Sequence, residues 1–179
     1  RLRDQLNSIK LLDERQTVIF VKKVDWDIIS LAESDGYACV NLFKVRGGKL
    51  RDKENFVYET TVKYTRTYSF NQLNEILQKF LEQYYLETSD IPKTIYTQTP
   101  PENEKLVQDI IQSRLGKKIK LITPQKGKPA ELIKLGTTNA LEHLSKWLQD
   151  QAGHLDKINK ALEGLRDILK LPDIPRRIE

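Results

Sequence analysis

The pattern of apolar residues changes near residue 60, from β-rich apolar segments typical of strands to the spacing typical of helices. Before that point, a β-rich segment at residues 17–21 precedes three others, at 28–32, 37–45 and 50–58, that follow one another closely. Asp35-Gly36 and Gly47-Gly48 separate them and supply the positive φ angles that tight hairpin turns need. The first part of the chain therefore predicts three consecutive antiparallel strands.

Helical stripes and short β-rich segments alternate in the rest of the chain. The stripes begin after Ser69, after Pro101 and at Pro129, and the last one continues the helical period to Leu171. Two β-rich segments, at 94–99 and 118–122, lie between them. This order predicts an α/β fold with helices covering a mixed sheet and a long C-terminal helix. Ribonuclease H-like proteins share that order, but a fold of this kind fixes no activity.

Composition narrows the class of protein. The net charge of +5 suggests a polyanionic partner without establishing one. Cys39 is the single cysteine, so no disulfide can form within the chain, which fits a reducing cytosol. No stretch of the sequence is apolar enough to predict a membrane span. The patterns at both ends are interrupted, which predicts that the sequence is an internal piece of a larger protein.

Carboxylates decide whether a ribonuclease H-like sheet can act as a two-metal nuclease. The predicted first strand contains no acid, because Asp25 and Asp27 come before it. Glu75 is the reasonable candidate on the first helix, and the strand at 94–99 has no acid. The pattern favours a degenerate domain without catalytic residues. An independent metal-dependent nuclease remains the alternative hypothesis.

Other sites of chemistry have weaker support. His143 and His154 are eleven residues apart, outside the usual spacing of metal ligands, and Cys39 has no second cysteine to join it. Packing or surface positions are the favoured interpretation of all three. We therefore predict no catalytic residue, no metal site and no cofactor in this segment.

A lysine-rich stretch is the best functional signal, and it lies around the last predicted strand. Contact with the DNA backbone and simple solvation are both consistent with such a stretch. Arg46, at the second hairpin turn, is a further candidate. The predicted DNA-binding residues are Arg46, Lys117, Lys118, Lys120, Lys126 and Lys128.

Several short motifs, in order along the chain, resemble the central part of the UvrC family. They read RLRDQL at residues 1–6, ACV at 38–40 with VRGGKL at 45–50, FLEQYY at 80–85, PQKGK at 124–128 and RIE at 177–179. The resemblance implies a subunit of the UvrABC excision-repair system, which is cytoplasmic, belongs to the SOS response and incises damaged double-stranded DNA on both sides of a lesion. The catalytic motifs of that family's two nuclease domains, which use divalent metal, are absent from this sequence.

The resemblance also divides the chain. Residues 1–16 resemble the end of the UVR helix, in which Leu2, Leu6 and Ile9 would contact UvrB. Residues 17–152 would form a non-catalytic ribonuclease H-like middle domain. Residues 153–179 would form a linker helix and the start of the C-terminal nuclease domain. The expected partners are UvrB and damaged DNA, with no membrane.

Overall fold

The computed structural model describes residues 23–60, 70–116, 118–170 and 173. The helix predicted at 1–16, the β-rich segment at 17–21, Ser69 and Lys117 lie outside these residues.

Three antiparallel strands form the first part of the described chain, as predicted. They are β1 (Trp26–Ser34), β2 (Tyr37–Arg46) and β3 (Lys49–Glu59). The two hairpin turns place Asp35 and Gly36, and then Gly47 and Gly48, at positive φ angles. Glycine takes such angles without steric cost, which explains why these turns fall at Asp-Gly and Gly-Gly pairs.

The remaining elements alternate between helix and strand. They are α1 (Phe70–Glu87), β4 (Thr94–Thr97), α2 (Glu104–Leu115), β5 (Lys120–Ile122) and α3 (Lys128–Leu169). Strand β4 pairs with β1 in parallel, and β5 pairs with β4 in parallel. The strand order is β3-β2-β1-β4-β5. The predicted mixed sheet and long C-terminal helix are therefore confirmed.

The helix ends follow local chemistry. The side chain of Asn103 accepts a hydrogen bond from the Leu106 amide (3.1 Å), which caps the start of α2. Gly116 ends α2 in the left-handed conformation at φ 63°, where the sequence predicted a stop. Helix α3 begins one residue before Pro129, so the ring sits in the first turn, where no amide hydrogen is needed.

Helices pack on both faces of the sheet, because neighbouring residues of a strand point to opposite faces. Ile29 and Leu31 of β1 belong to the larger core, with residues of α1 and α2. Ile28 points the other way and packs with Leu132 and Ile133 of α3.

The chain divides into two compact units between Leu144 and Ser145. The first unit contains the sheet, α1, α2 and the start of α3. The described part of the second unit is mainly the remainder of α3, which runs through Gly153 without interruption. The boundary predicted between residues 152 and 153 falls inside this helix.

Candidate functional site

Asp27 lies within the first strand, and the prediction that it comes before that strand was wrong. It pairs with Lys44 of β2 on one side and with Ile95 of β4 on the other. Strand pairing on both sides extends β1 past the charged residue, although aspartate has low strand propensity. The Asp27 side chain is completely buried. A carboxylate therefore does occupy the strand at which a two-metal nuclease needs one.

Two side chains of the protein bind this carboxylate. The Tyr85 hydroxyl donates to Asp27 Oδ2 at 2.6 Å, and Arg46 Nη1 donates to Asp27 Oδ1 at 2.8 Å. Burial raises the pKa of Asp27, while the hydrogen bond from Tyr85 and the charge of Arg46 act to lower it. Both carboxylate oxygens are thus engaged by side chains of the same chain.

The Arg46 guanidinium also donates hydrogen bonds to residues other than Asp27. Its Nε lies 3.1 and 2.9 Å from the two carboxylate oxygens of Asp90, and its Nη2 donates to the Asp90 carbonyl at 3.1 Å. Its Nη1 also reaches the carbonyls of Trp26 (3.0 Å) and Val45 (2.9 Å). A contact between Arg46 and DNA, as the sequence predicted, would have to compete with these bonds.

The other predicted acids do not join Asp27. Asp25 accepts a hydrogen bond from the Gly47 amide at 2.7 Å and so holds the second hairpin turn. Glu75 is exposed, forms an ion pair with Lys79 (3.7 Å) and borders a cleft with Tyr58.

The distance between the two candidate acids follows from the strand register. Tyr58 pairs with Ala38 near the start of β2, whereas Asp27 pairs with Lys44 near its end. Six strand residues span about 20 Å, so Glu75 and Asp27 lie toward opposite ends of the sheet. Two carboxylates this far apart cannot share a pair of metal ions.

An amide stands where a nuclease would hold an acid beyond β4. Gln98 Oε1 accepts hydrogen bonds from the Leu31 amide and from the Thr137 hydroxyl, each at 2.9 Å. It joins β1 to α3 at the carboxyl end of the parallel strands. The residue after β4 is therefore a neutral amide that links two elements of the fold, and it offers no carboxylate to a metal ion.

No group of three or more His, Cys, Asp or Glu residues that could hold a metal ion occurs among the described residues. His143 and His154 are exposed on α3. Cys39 is fully buried, and burial raises the pKa of its thiol to about 11. A thiol with a pKa so far above neutral pH is rarely ionised and is therefore a poor nucleophile. The described residues do not fit a two-metal nuclease site.

The predicted DNA-binding lysines surround the edge strand β5. Lys118 and Lys120 are exposed at its start, and Lys126 and Lys128 are exposed after its end. Lys128 forms an ion pair with Glu131 at 2.8 Å. Within the part of the chain that the structure describes, Lys118, Lys120 and Lys126 form no ion pair.

Lys93 lies at the same end of the sheet as Lys120, and sequence reasoning missed it. It is exposed, and its carbonyl accepts a hydrogen bond from the Lys120 amide at 2.8 Å. The two lysines are 27 residues apart in sequence, but parallel pairing of β4 and β5 brings them together. We call the exposed Lys93, Lys118, Lys120, Lys126 and Lys128 the edge lysines.

The remaining predictions concern partners. Leu2, Leu6 and Ile9, the residues expected to contact UvrB, lie outside the described residues. Among the described residues, no helix has the length and apolar character needed to cross a membrane.

The strand order, with helices on both faces of the sheet, defines a ribonuclease H-like domain. The model of one protein family, described as the UvrC ribonuclease H-like domain, matches residues 25–158. The chain belongs to this family.

Curated relatives carry the name UvrABC system protein C. The protein of Acetivibrio thermocellus is 28% identical over 179 residues, and that of Methanothermobacter thermautotrophicus is 33% identical over 179 residues. Each alignment covers 100% of this chain and 28% of the relative. The protein of Clostridioides difficile is 30% identical over 99% of this chain and 28% of its own length. The chain thus spans less than a third of these relatives.

Proposed function

We propose that this chain is a non-catalytic scaffold domain of a UvrC-type subunit in nucleotide excision repair. The family match and the relatives named UvrABC system protein C support the role in repair. In the intact protein, UvrB and damaged double-stranded DNA would be the partners, and incision on both sides of the lesion would be the activity. Divalent metal would serve the nuclease domains outside this segment.

The environment of Asp27 carries the proposal that the domain itself is not catalytic. Its carboxylate accepts hydrogen bonds from Tyr85 and Arg46, and the guanidinium supplies the positive charge that a metal ion would otherwise supply. Glu75 lies toward the other end of the sheet and Gln98 is neutral. The acids of a two-metal site therefore do not converge.

A nicking assay tests this proposal. The chain is incubated with supercoiled plasmid and either Mg²⁺ or Mn²⁺, and the nicked fraction is measured against a buffer blank. We expect no increase. Nicking that disappears in Asp27→Asn or Glu75→Gln would establish the alternative, a metal-dependent nuclease. Nicking that survives both variants would also contradict the expected result and would place the activity outside these two acids.

We also propose that the edge lysines contact the DNA backbone. Lys118, Lys120 and Lys126 are exposed, carry no ion pair among the described residues and flank one short strand, so their charges lie close together. Contacts to phosphates release counterions, and the logarithm of the binding constant falls with that of salt by about 0.9 per phosphate on duplex DNA. Binding by this surface should therefore depend steeply on salt.

Charge reversal tests the DNA contact. The triple variant Lys118→Glu, Lys120→Glu and Lys126→Glu should weaken duplex binding and reduce the salt slope by up to about 2.7. The matched control reverses Lys146, Lys157 and Lys160, exposed residues of α3, and makes the same change in net charge. Equal losses in both triple variants would show that net charge alone causes binding, and would refute a specific surface.

A further inference from the structure

The helix that follows Ser145 carries a seven-residue repeat. From Leu155 onward its large apolar residues are spaced alternately by three and four positions, and Leu148 lies one heptad earlier, which is the pattern of a two-stranded coiled coil. Written as the heptad abcdefg with Leu155 at position a, Gln151 is the one polar residue at an a or d position. The apolar seam consists of Leu148, Leu155, Ile158, Leu162, Leu165 and Leu169.

This seam is largely open to solvent. Leu155 is 59% exposed, Ile158 41% and Leu169 56%, and the other members of the seam are half-buried. Ile168, beside the seam at position g, is 79% exposed. An apolar stripe of this length on a helix surface marks an interaction site.

The charged residues of the helix avoid the seam and its flanks. Between residues 145 and 169, every charged residue except Arg166 falls at the outer positions b, c and f. Charges at positions e and g normally select the partner of a coiled coil and its orientation. Here the flanks are almost neutral, with Ala152, Asn159 and Ala161 among them. A second identical helix can therefore approach without repulsion between like charges.

We propose that residues 145–169 pair with the same residues of a second copy of this chain as an antiparallel coiled coil. Opposed helix dipoles favour the antiparallel orientation. In that orientation, matching a to d layers places Leu155 against Ile158 and Leu148 against Leu165 of the other copy. The exposed Ile168 then lies beside Trp147 of the other copy, whereas in a parallel pair its neighbouring e position would fall beyond the end of the helix at Leu169.

Sedimentation equilibrium of the full 179-residue chain tests the pairing. The apparent mass should rise toward that of a dimer as the concentration increases to about 200 µM, because a short coiled coil associates by mass action. The variant Leu155→Asp/Ile158→Asp should remain a monomer throughout. The control Lys157→Asp/Lys160→Asp changes two outward residues and should associate as the parent does. A monomer at every concentration, or a dimer unaffected by the seam variant, would overturn the proposal.

A second seam variant guards against a folding defect. Leu162→Asp/Leu165→Asp should abolish association in the same way, and circular dichroism of both variants should still show the sheet and helices. Loss of association together with loss of the folded signal in both would count against a specific seam.

Cysteine crosslinking tests the orientation. A mixture of Leu155→Cys and Ile158→Cys proteins should form a disulfide-linked heterodimer under mild oxidation, because these positions face each other in the antiparallel register. A parallel pair would instead crosslink Leu155→Cys with itself. The native Cys39 is fully buried and should not interfere.

Discussion

The two faces of the sheet hold their central polar residues in opposite ways. On the α1 face, Asp27 is a buried charge, closed over by the large Tyr85 and by Arg46. On the α3 face, Ser30 is small and neutral, and its hydroxyl donates to the Ile133 carbonyl at 3.0 Å. Gly136 lets the helix backbone approach so closely that a Cβ at this position would lie 2.4 Å from Ser30 Oγ.

Strand β1 can serve both faces because each face tolerates its polar residue for a different reason. A buried charge is tolerated when an opposite charge and a hydrogen-bond donor accompany it. A close approach of helix and sheet is tolerated when one partner lacks a side chain. The α1 face therefore depends on interactions between charges, and the α3 face depends on shape. Substitutions on the two faces should therefore lower the stability of the fold for different physical reasons.

The largest effect should follow loss of the buried carboxylate. Asp27→Ala removes the charge that faces Arg46 inside the protein and leaves the guanidinium without its buried partner. Breaking a buried ion pair in this way typically costs about 3–5 kcal/mol. Urea unfolding followed by tryptophan fluorescence measures the change in the free energy of unfolding.

The matched control removes the other acid that binds the same guanidinium. The side chain of Asp90 is 63% exposed, so its ion pair is screened by water. Asp90→Ala should cost at most about 1 kcal/mol. Similar costs for the two variants would show that burial of the Asp27 charge does not distinguish this face.

The next effect should come from the hydroxyl group that binds Asp27. Tyr85→Phe keeps the ring in the core and removes the 2.6 Å hydrogen bond. Hydrogen bonds to charged groups contribute about 1.5–3 kcal/mol, and we expect a loss in that range by urea unfolding. Tyr84→Phe is the control, because Tyr84 is half-buried and its hydroxyl lies beside Lys44 and 3.5 Å from Glu54. Equal losses in both would contradict the assignment.

Much of the fold could be predicted from local sequence, whereas the polar centre of the α1 face could not. The β-rich segments and the Asp-Gly and Gly-Gly turns locate the three antiparallel strands, and Gly116 locates the end of α2. The spatial order of the strands depends on contacts between distant residues, and the order of elements along the chain indicated only a ribonuclease H-like mixed sheet. The start of β1 was missed because Asp27 disfavours strands in isolation.

The site depends on separations that no local pattern reveals. Tyr85 lies 58 residues from Asp27 in sequence, and Asp90 lies 44 residues from Arg46. The sequence therefore predicted that Arg46, at a hairpin turn, is free to bind DNA. In the fold, its guanidinium binds both Asp27 and Asp90. Lys93 was missed for the same reason, since parallel strand pairing places it beside Lys120. The edge lysines close to β5 in sequence could be predicted, because they belong to one lysine-rich stretch of the chain.

A smaller effect is expected from overcrowding of the α3 face. Gly136→Ala places a Cβ 2.4 Å from Ser30 Oγ and 2.9 Å from Asn41 Oδ1, so these side chains must move or helix and sheet must separate. Overpacking costs about 1–3 kcal/mol, offset by up to about 1 kcal/mol of helix propensity. Thermal unfolding should show a net loss. Gly164→Ala, in the same helix with nothing within 4 Å of the added Cβ, should cause no loss. A stabilised Gly136→Ala variant would show that the close approach is not needed.

The smallest effect is a dependence on pH that belongs to the α1 face alone. Burial raises the pKa of Asp27 above its ordinary value of 3.8, so over a window above pH 3.8 the folded protein keeps a proton that the unfolded chain releases. Raising the pH through this window therefore favours the unfolded state, with a slope of at most about 1.4 kcal/mol per pH unit. Asp27→Asn cannot titrate, and the free energy of unfolding of the wild type relative to this variant should fall as the pH rises. Other carboxyls cancel in that difference. If the stability of the wild type relative to Asp27→Asn rises with pH, then Arg46 and Tyr85 lower the pKa of Asp27 more than burial raises it. The charged carboxylate would then stabilise the folded protein.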